Sequence, residues 1–278
     1  MSSPSSPSSP GRQSPKTAAE HFNSTASQYE RSTGGCTWEL ARDLLDLPDL
    51  QSITEIIRRC ENEGTAVPEI AAVDAAENMV DLARAKFRDS RHAARLSFAA
   101  APGESLDLFE SESFTHSITN LGILFFSDED EGAKEIYRTL APGGVAVVTT
   151  WAELGYLTRV IHPAQRLIRP CDPVFKLPIS AAWFQPDFVE EVMRRGGFGD
   201  VEMAERTVHY GAPDEEDLTQ MLILSFQMLY HDWPEHEKKK FVKTVGNLVR
   251  KTSVPYTMPD GRDGMGIPMR AIVAVCRK

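Results

Sequence analysis

The stretch Glu69-Ile70-Ala71-Ala72-Val73-Asp74, running on through Ala75-Ala76 into Glu77-Asn78-Met79-Val80-Asp81-Leu82-Ala83-Arg84-Ala85-Lys86-Phe87, decides how this chain is read. Its apolar run predicts a buried strand over 69–73 with Asp74 where the strand ends. Met79, Val80, Ala83 and Phe87 then recur at helical spacing and predict an amphipathic helix. A carboxylate at the carboxyl end of a parallel strand can take the two hydroxyls of a ribose. It can equally cap the helix that follows. The residues alone leave both readings open.

Upstream, Thr37 is read as the cap of a helix with Trp38, Ala41, Leu44 and Leu45 inward, ended by Pro48. Ser52-x-x-Glu55 reads as a capping box opening a second helix, with Ile53, Ile56, Ile57 and Cys60 on one face. Downstream, strands are expected near Leu96–Ala100, Phe114–Asn120 and Val145–Trp151. A helix capped by Ser127, with the acidic first turn Asp128-Glu129-Asp130, precedes the last of these. Strands alternating with helices in this rhythm imply a mostly parallel sheet covered on both faces. Late strands around Asp200–Tyr210 and Met269–Cys276 suggest an antiparallel hairpin at one sheet edge. The three Ser-Ser-Pro repeats at the start have nothing to bury, so residues 1–17 are read as a disordered tail. Residues 18–278 form one α/β domain, with lid elements around 152–186 and 212–255.

At 278 residues the chain can bury a substantial core. A net charge of -10 argues against a nucleic-acid partner, and Lys238-Lys239-Lys240 reads as a solvated helix face. The four cysteines, Cys36, Cys60, Cys171 and Cys276, have neither C-x-x-C nor metal spacing, which fits a reducing, cytoplasmic setting. No apolar run is long enough to span a membrane, so no membrane partner is expected.

Taken in order, Val73-Asp74-x4-Met79-Val80-x2-Ala83, Ser117-Ile118-Thr119-Asn120-Leu121-Gly122, Leu140-x-Pro142-Gly143-Gly144 with Val147–Trp151, and Gly197-Phe198 before a late strand resemble the class I S-adenosylmethionine-dependent methyltransferases. The likeness is closest to the small-molecule enzymes of filamentous-fungal secondary metabolism. It implies a doubly wound Rossmann-like sheet and S-adenosyl-L-methionine as cofactor, with methyl transfer to a small-molecule acceptor. Carried over by position, Asp74 would hold the ribose, Met79 would lie near the adenine, and Asn120 and Leu121 beside the methionyl part. Tyr29 would close over the cofactor. Trp151 would look toward the acceptor, with Tyr156, Trp183 and Phe184 lining an apolar acceptor pocket; packing explains the lid aromatics equally well. His162 and His209 are available as bases, though neither is assigned that role.

Two departures stand out. Where the family has an acidic residue for the adenine amino group, this chain has Pro102. The family's first strand and glycine-rich loop have no counterpart. Between Pro48 and Ser52 stand only Asp49, Leu50 and Gln51, too few for a strand of about five residues and its turn. Two other readings therefore accompany the enzyme: a non-catalytic relative acting as a binding partner or regulator, and a chain shortened by a mis-assigned intron.

Overall fold

The computed structural model describes residues 17–278, without the side chains of residue 30 and residues 52–56. Of the tail read from the sequence, all but Thr17 lies outside the described residues. Thr17 itself caps α1 (Ala18–Thr25) in a reciprocal box: its Oγ1 accepts from the Glu20 N–H at 3.2 Å and its own N–H donates to Glu20 Oε2 at 2.8 Å. After α2 (Tyr29–Ser32), α3 (Cys36–Leu44) starts at Gly35, whose φ of 72° suits glycine, so Thr37 is no cap. The buried face of α3 is Cys36, Leu40 and Leu44, spaced by four. Trp38 and Leu45 are more than two-fifths exposed, and the Lys86 ammonium lies over the Trp38 ring at 5.7 Å.

α4 (Pro48–Glu63) begins four residues before the expected Ser52. Proline is well suited to the first helical position, because its fixed φ is helical and its missing N–H would have no partner there. The Leu47 carbonyl accepts from the N–H groups of Leu50 and Gln51 at 2.9 and 3.0 Å. The Ser52–Glu55 box falls on side chains outside the described residues, in the interior of a helix already under way. No strand stands between α3 and α4.

Then come β1 (Ile70–Asp74), α5 (Glu77–Phe87), β2 (Leu96–Ala100) and β3 (Phe114–Asn120). α6 (Glu129–Thr139) is capped by Asp128, whose Oδ1 accepts from the Glu131 N–H at 3.0 Å. Ser127, the expected cap, instead donates its N–H and hydroxyl to Glu104 Oε1, both at 2.6 Å. β4 (Leu140–Glu153) leads through a π-helical turn, Tyr156–Ile161, into α7 (His162–Ile168) and α8 (Pro186–Arg195). β5 (Asp200–Ala212), α9 (Glu215–Ser225), α10 (Gln227–Tyr230), α11 (Glu235–Thr252), β6 (Val254–Thr257) and β7 (Asp263–Arg277) complete the chain.

The strands form two separate sheets. β1 and β2 pair in parallel, from Ile70 with Leu96 to Asp74 with Ala100. The larger sheet runs β3-β4-β7-β5, with β6 beside β7. β3 and β4 are parallel, and β7 lies antiparallel between β4 and β5. The late strands β5 and β7 do pair antiparallel at one edge of the sheet, with three helices between them in sequence and β5 outermost. Consecutive residues Ala146–Trp151 and Ala271–Cys276 are all buried, so this part is covered on both faces. β1 differs. It was expected to be a buried strand, yet Ile70 is 44% exposed, as Ile118 of β3 is 46%. Each of these strands has a neighbour on one side only, because the chain supplies none for the interval between them.

Candidate cofactor and acceptor cavity

A cavity of about 3000 Å³ is lined by the whole of β1, the whole of β3 and the segments above them. Asp74 stands at its wall. One carboxylate oxygen accepts from the Ala76 N–H at 2.7 Å, so the residue does make the local turn that leads into α5. The other oxygen has no protein partner among the described residues. Withdrawal from water raises the Asp74 pKa above the usual carboxylate value, and the Ala76 N–H opposes the rise. The two sequence readings of Asp74 are therefore compatible in one geometry: an oxygen for the turn, and an oxygen for a ligand hydroxyl. Met79 is half-buried on the same wall.

Asn120 and Leu121 also line the cavity, but the Asn120 amide is already engaged. Its Nδ2 donates to the Thr37 carbonyl at 2.9 Å and its Oδ1 accepts from the Thr149 hydroxyl at 2.9 Å. The Leu121 N–H donates to the same Thr149 oxygen at 2.8 Å. Leu121 has a φ of 56°, costly for a branched side chain, and this hydrogen bond holds it there. Asn120 ties the tip of β3 to the start of α3, a role that spacing alone did not reveal.

Tyr29, Trp151 and Tyr156 all line the cavity, while Trp183 does not. Trp183 is buried edge-on against Phe188 of α8, 5.0 Å between ring centres. Neither histidine faces the cavity. His162 Nε2 lies 2.8 Å from the Phe175 carbonyl, and His209 Nδ1 lies 2.9 Å from the Glu39 carboxylate. Glu39 also accepts from the His209 N–H at 2.7 Å, joining α3 to β5. Burial pushes the Tyr210 phenol up to about 12 and raises that of Tyr156 as well, so neither is a base near neutral pH.

Pro102 is in the cavity wall, and so is Glu104, which the sequence reading passed over. An acidic side chain two residues beyond the expected position was the available signal. Burial would raise the Glu104 pKa, but hydrogen bonds from Ser127 hold it below the usual carboxylate range. Asp49, in the stretch where the family's first strand would end, faces elsewhere: both its oxygens are taken by Arg277 at 2.8 and 2.9 Å.

The second Asp74 oxygen thus fits a hydroxyl in the nucleoside half of S-adenosylmethionine, the cofactor the sequence resemblance implies, and Met79 lines the same wall. For the methionyl half, the described residues offer no glycine-rich backbone cradle.

A family model described as a methyltransferase domain matches residues 55–148, from α4 into β4. A ubiquinone/menaquinone biosynthesis C-methyltransferase from Geobacter sp. (strain M21) is 34% identical over 79 residues, 28% of this chain and 33% of that protein. An uncharacterized protein of Mycobacterium tuberculosis is 28% identical over 120 residues, 42% of each chain. The chain therefore spans a third to less than half of the curated relatives it matches. Among solved structures, the [4+2]-cyclase SpnF covers 94% of this chain and 96% of its own at 14% identity, with a TM-score of 0.49. A methyltransferase from Thermotoga maritima covers 92% and 98% at 15% identity, with a TM-score of 0.46. At those scores the two structures bear no weight for function. Residues 55–148 are thus similar to a methyltransferase domain, in keeping with the resemblance carried by the sequence motifs.

Proposed function

We propose that this chain transfers a methyl group from S-adenosylmethionine to a small-molecule acceptor of the secondary-metabolite kind. One observation carries the reading: Asp74, Met79, Leu121, Trp151 and Tyr156 all line a single cavity. When bound, the cofactor supplies an electrophilic methyl group. The chain's own part is positioning. Asp74 holds the ribose end, and Trp151 and Tyr156 shape the far wall where the acceptor lies. Catalysis then comes chiefly from proximity and orientation. With His162 and His209 turned away and Tyr156 and Tyr210 protonated, none of these four supplies a base to the acceptor.

A second reading, a non-catalytic relative that serves as a binding partner, is favoured by the open interval between β1 and β3. Micromolar cofactor affinity corresponds to about 8 kcal/mol. Two or three missing charge-assisted contacts at about 1.5–3 kcal/mol each would push the dissociation constant toward millimolar or beyond. Calorimetric titration with S-adenosylhomocysteine separates the readings. Micromolar binding by the wild-type chain that disappears in Asp74→Ala supports the enzyme. No binding by a cooperatively folded chain leaves the non-catalytic relative.

A further inference from the structure

Past Trp151 the cavity changes character. On the nucleoside side its wall carries Asp74, Glu104, Arg58 and Arg95. On the far side it is formed by Leu154, Tyr156, Phe175, Met221 and Phe226, and the charged side chains of the lining that accompany them are both cations, Lys176 and Arg31 of α2, which packs on α9. Lys176 is exposed, and its ammonium is in no ion pair among the described residues. At the rim, two large apolar side chains stand in water: Leu224 of α9 is 62% exposed and Met228 of α10 is 85% exposed. Isolated exposed apolar residues are ordinary. Here both border the apolar arm of the cavity, and methionine is the side chain that adapts most readily to varied partners.

We propose that this arm takes an apolar acceptor whose polar end is neutral or anionic, and that it rejects amines. An ammonium entering it would lose water and meet no carboxylate. Lys176 would repel it. The aromatic rings form no cage for a cation, because they pack on one another: Tyr156 on Tyr210 at 4.8 Å, and Phe226 against Tyr156 and Phe175 at 5.9 and 5.3 Å. An apolar body gains from burial against Leu154, Met221 and Phe226, and closure of Met228 over it removes the exposed rim from water. An anionic end finds Lys176 within the same arm.

The assignment deepens the acceptor reading above and rests on it, and the test separates the two. Decanoate, decanol and decylamine share one apolar body and differ only in the head group. Each is titrated calorimetrically, below its micelle concentration, into the full chain, with S-adenosylhomocysteine titrated in parallel. Decanoate and decanol should bind saturably at one per chain, and decylamine at least about tenfold more weakly. Lys176→Glu should reverse the order of decanoate and decylamine, and Met228→Glu should weaken decanol. Both positions are exposed, so the variants should melt with the wild type. Decylamine binding as tightly as decanoate overturns the proposal, as does the absence of saturable binding by all three. If S-adenosylhomocysteine binds and no alkyl ligand does, this inference alone falls. Alkyl binding without cofactor binding keeps the arm and removes the methyl-transfer reading.

Discussion

At Asp74 one side chain has an oxygen for each of two purposes at a strand tip, the second being the proposed ligand contact. One oxygen shapes the turn into α5 while the other faces the cavity. Replacing it with alanine should weaken S-adenosylhomocysteine by at least about tenfold, since hydrogen bonds to charged groups contribute about 1.5–3 kcal/mol. Its pH signature follows from the sign of the shift. A carboxyl whose pKa is raised in the folded state opposes folding once ionised, so the penalty is absent below the unfolded value of about 3.9 and complete above the native one. Asp74 is exposed at the strand tip, so solvent screening keeps the effect small: Asp74→Asn should melt slightly higher than wild type at pH 7, and the difference should close as the pH falls toward 4. Equal melting differences across that range would refute the assignment. Asn120 has the opposite character, with both ends of its amide spent on the protein. Asn120→Ala should cost about 1–3 kcal/mol in chemical denaturation, because it leaves the Thr37 carbonyl and Thr149 hydroxyl short of partners.

Among the elements, α4 is held to the main sheet at its first turn by an ion cluster. Arg277 at the end of β7 binds both oxygens of Asp49 and also reaches Asp200 and Glu202 at 3.1 and 3.0 Å. The Arg277 hydrogen bond is the chief reason the Asp49 pKa is lowered. A lowered carboxyl stabilises the fold above its unfolded value and loses that contribution as the pH drops through the native one. Partly exposed as it is, the pair should contribute no more than about 1 kcal/mol. Arg277→Ala should lower the melting point at pH 7, and the difference should begin to shrink only as the pH falls below the unfolded carboxyl value of about 3.9. It should also speed amide exchange in the first two turns of α4. Unchanged exchange there would mean that α4 is held by other contacts.

For the whole molecule, the division of the sheet sets the pattern of stability. β4 and β7 are flanked on both sides and buried over consecutive residues, whereas β1 and β2 form a pair with α5 on it. That pair is joined to α1 by the Asn23 side chain and carbonyl, both bonded to Asn78 at 2.9 Å. Regions with few buried contacts open with the least free energy. Amides of residues 70–74 and 96–100 should therefore exchange orders of magnitude faster than those of 146–151 and 271–276. Uniform exchange across the two sheets would show that the interval between β1 and β3 is closed in solution.

Most element types were legible, since period and punctuation are local: Phe114–Asn120 and Leu96–Ala100 have the bounds read from their apolar runs. The position of Asp74 at a strand tip was legible for the same reason, and so was the shortage of residues for a strand before α4. Helix starts were less so. Pro48 and Asp128 take the first positions that Ser52 and Ser127 were expected to hold or follow, because a cap is decided by which N–H groups the neighbouring chain leaves open. Burial was decided only in three dimensions. Ile70 reads like any core residue, and it stands in water because no strand lies beside it. Likewise Trp183 and His209 carry the right chemistry for a site but point into packing with Phe188 and Glu39, a choice made by the helices and strands against which each one folds.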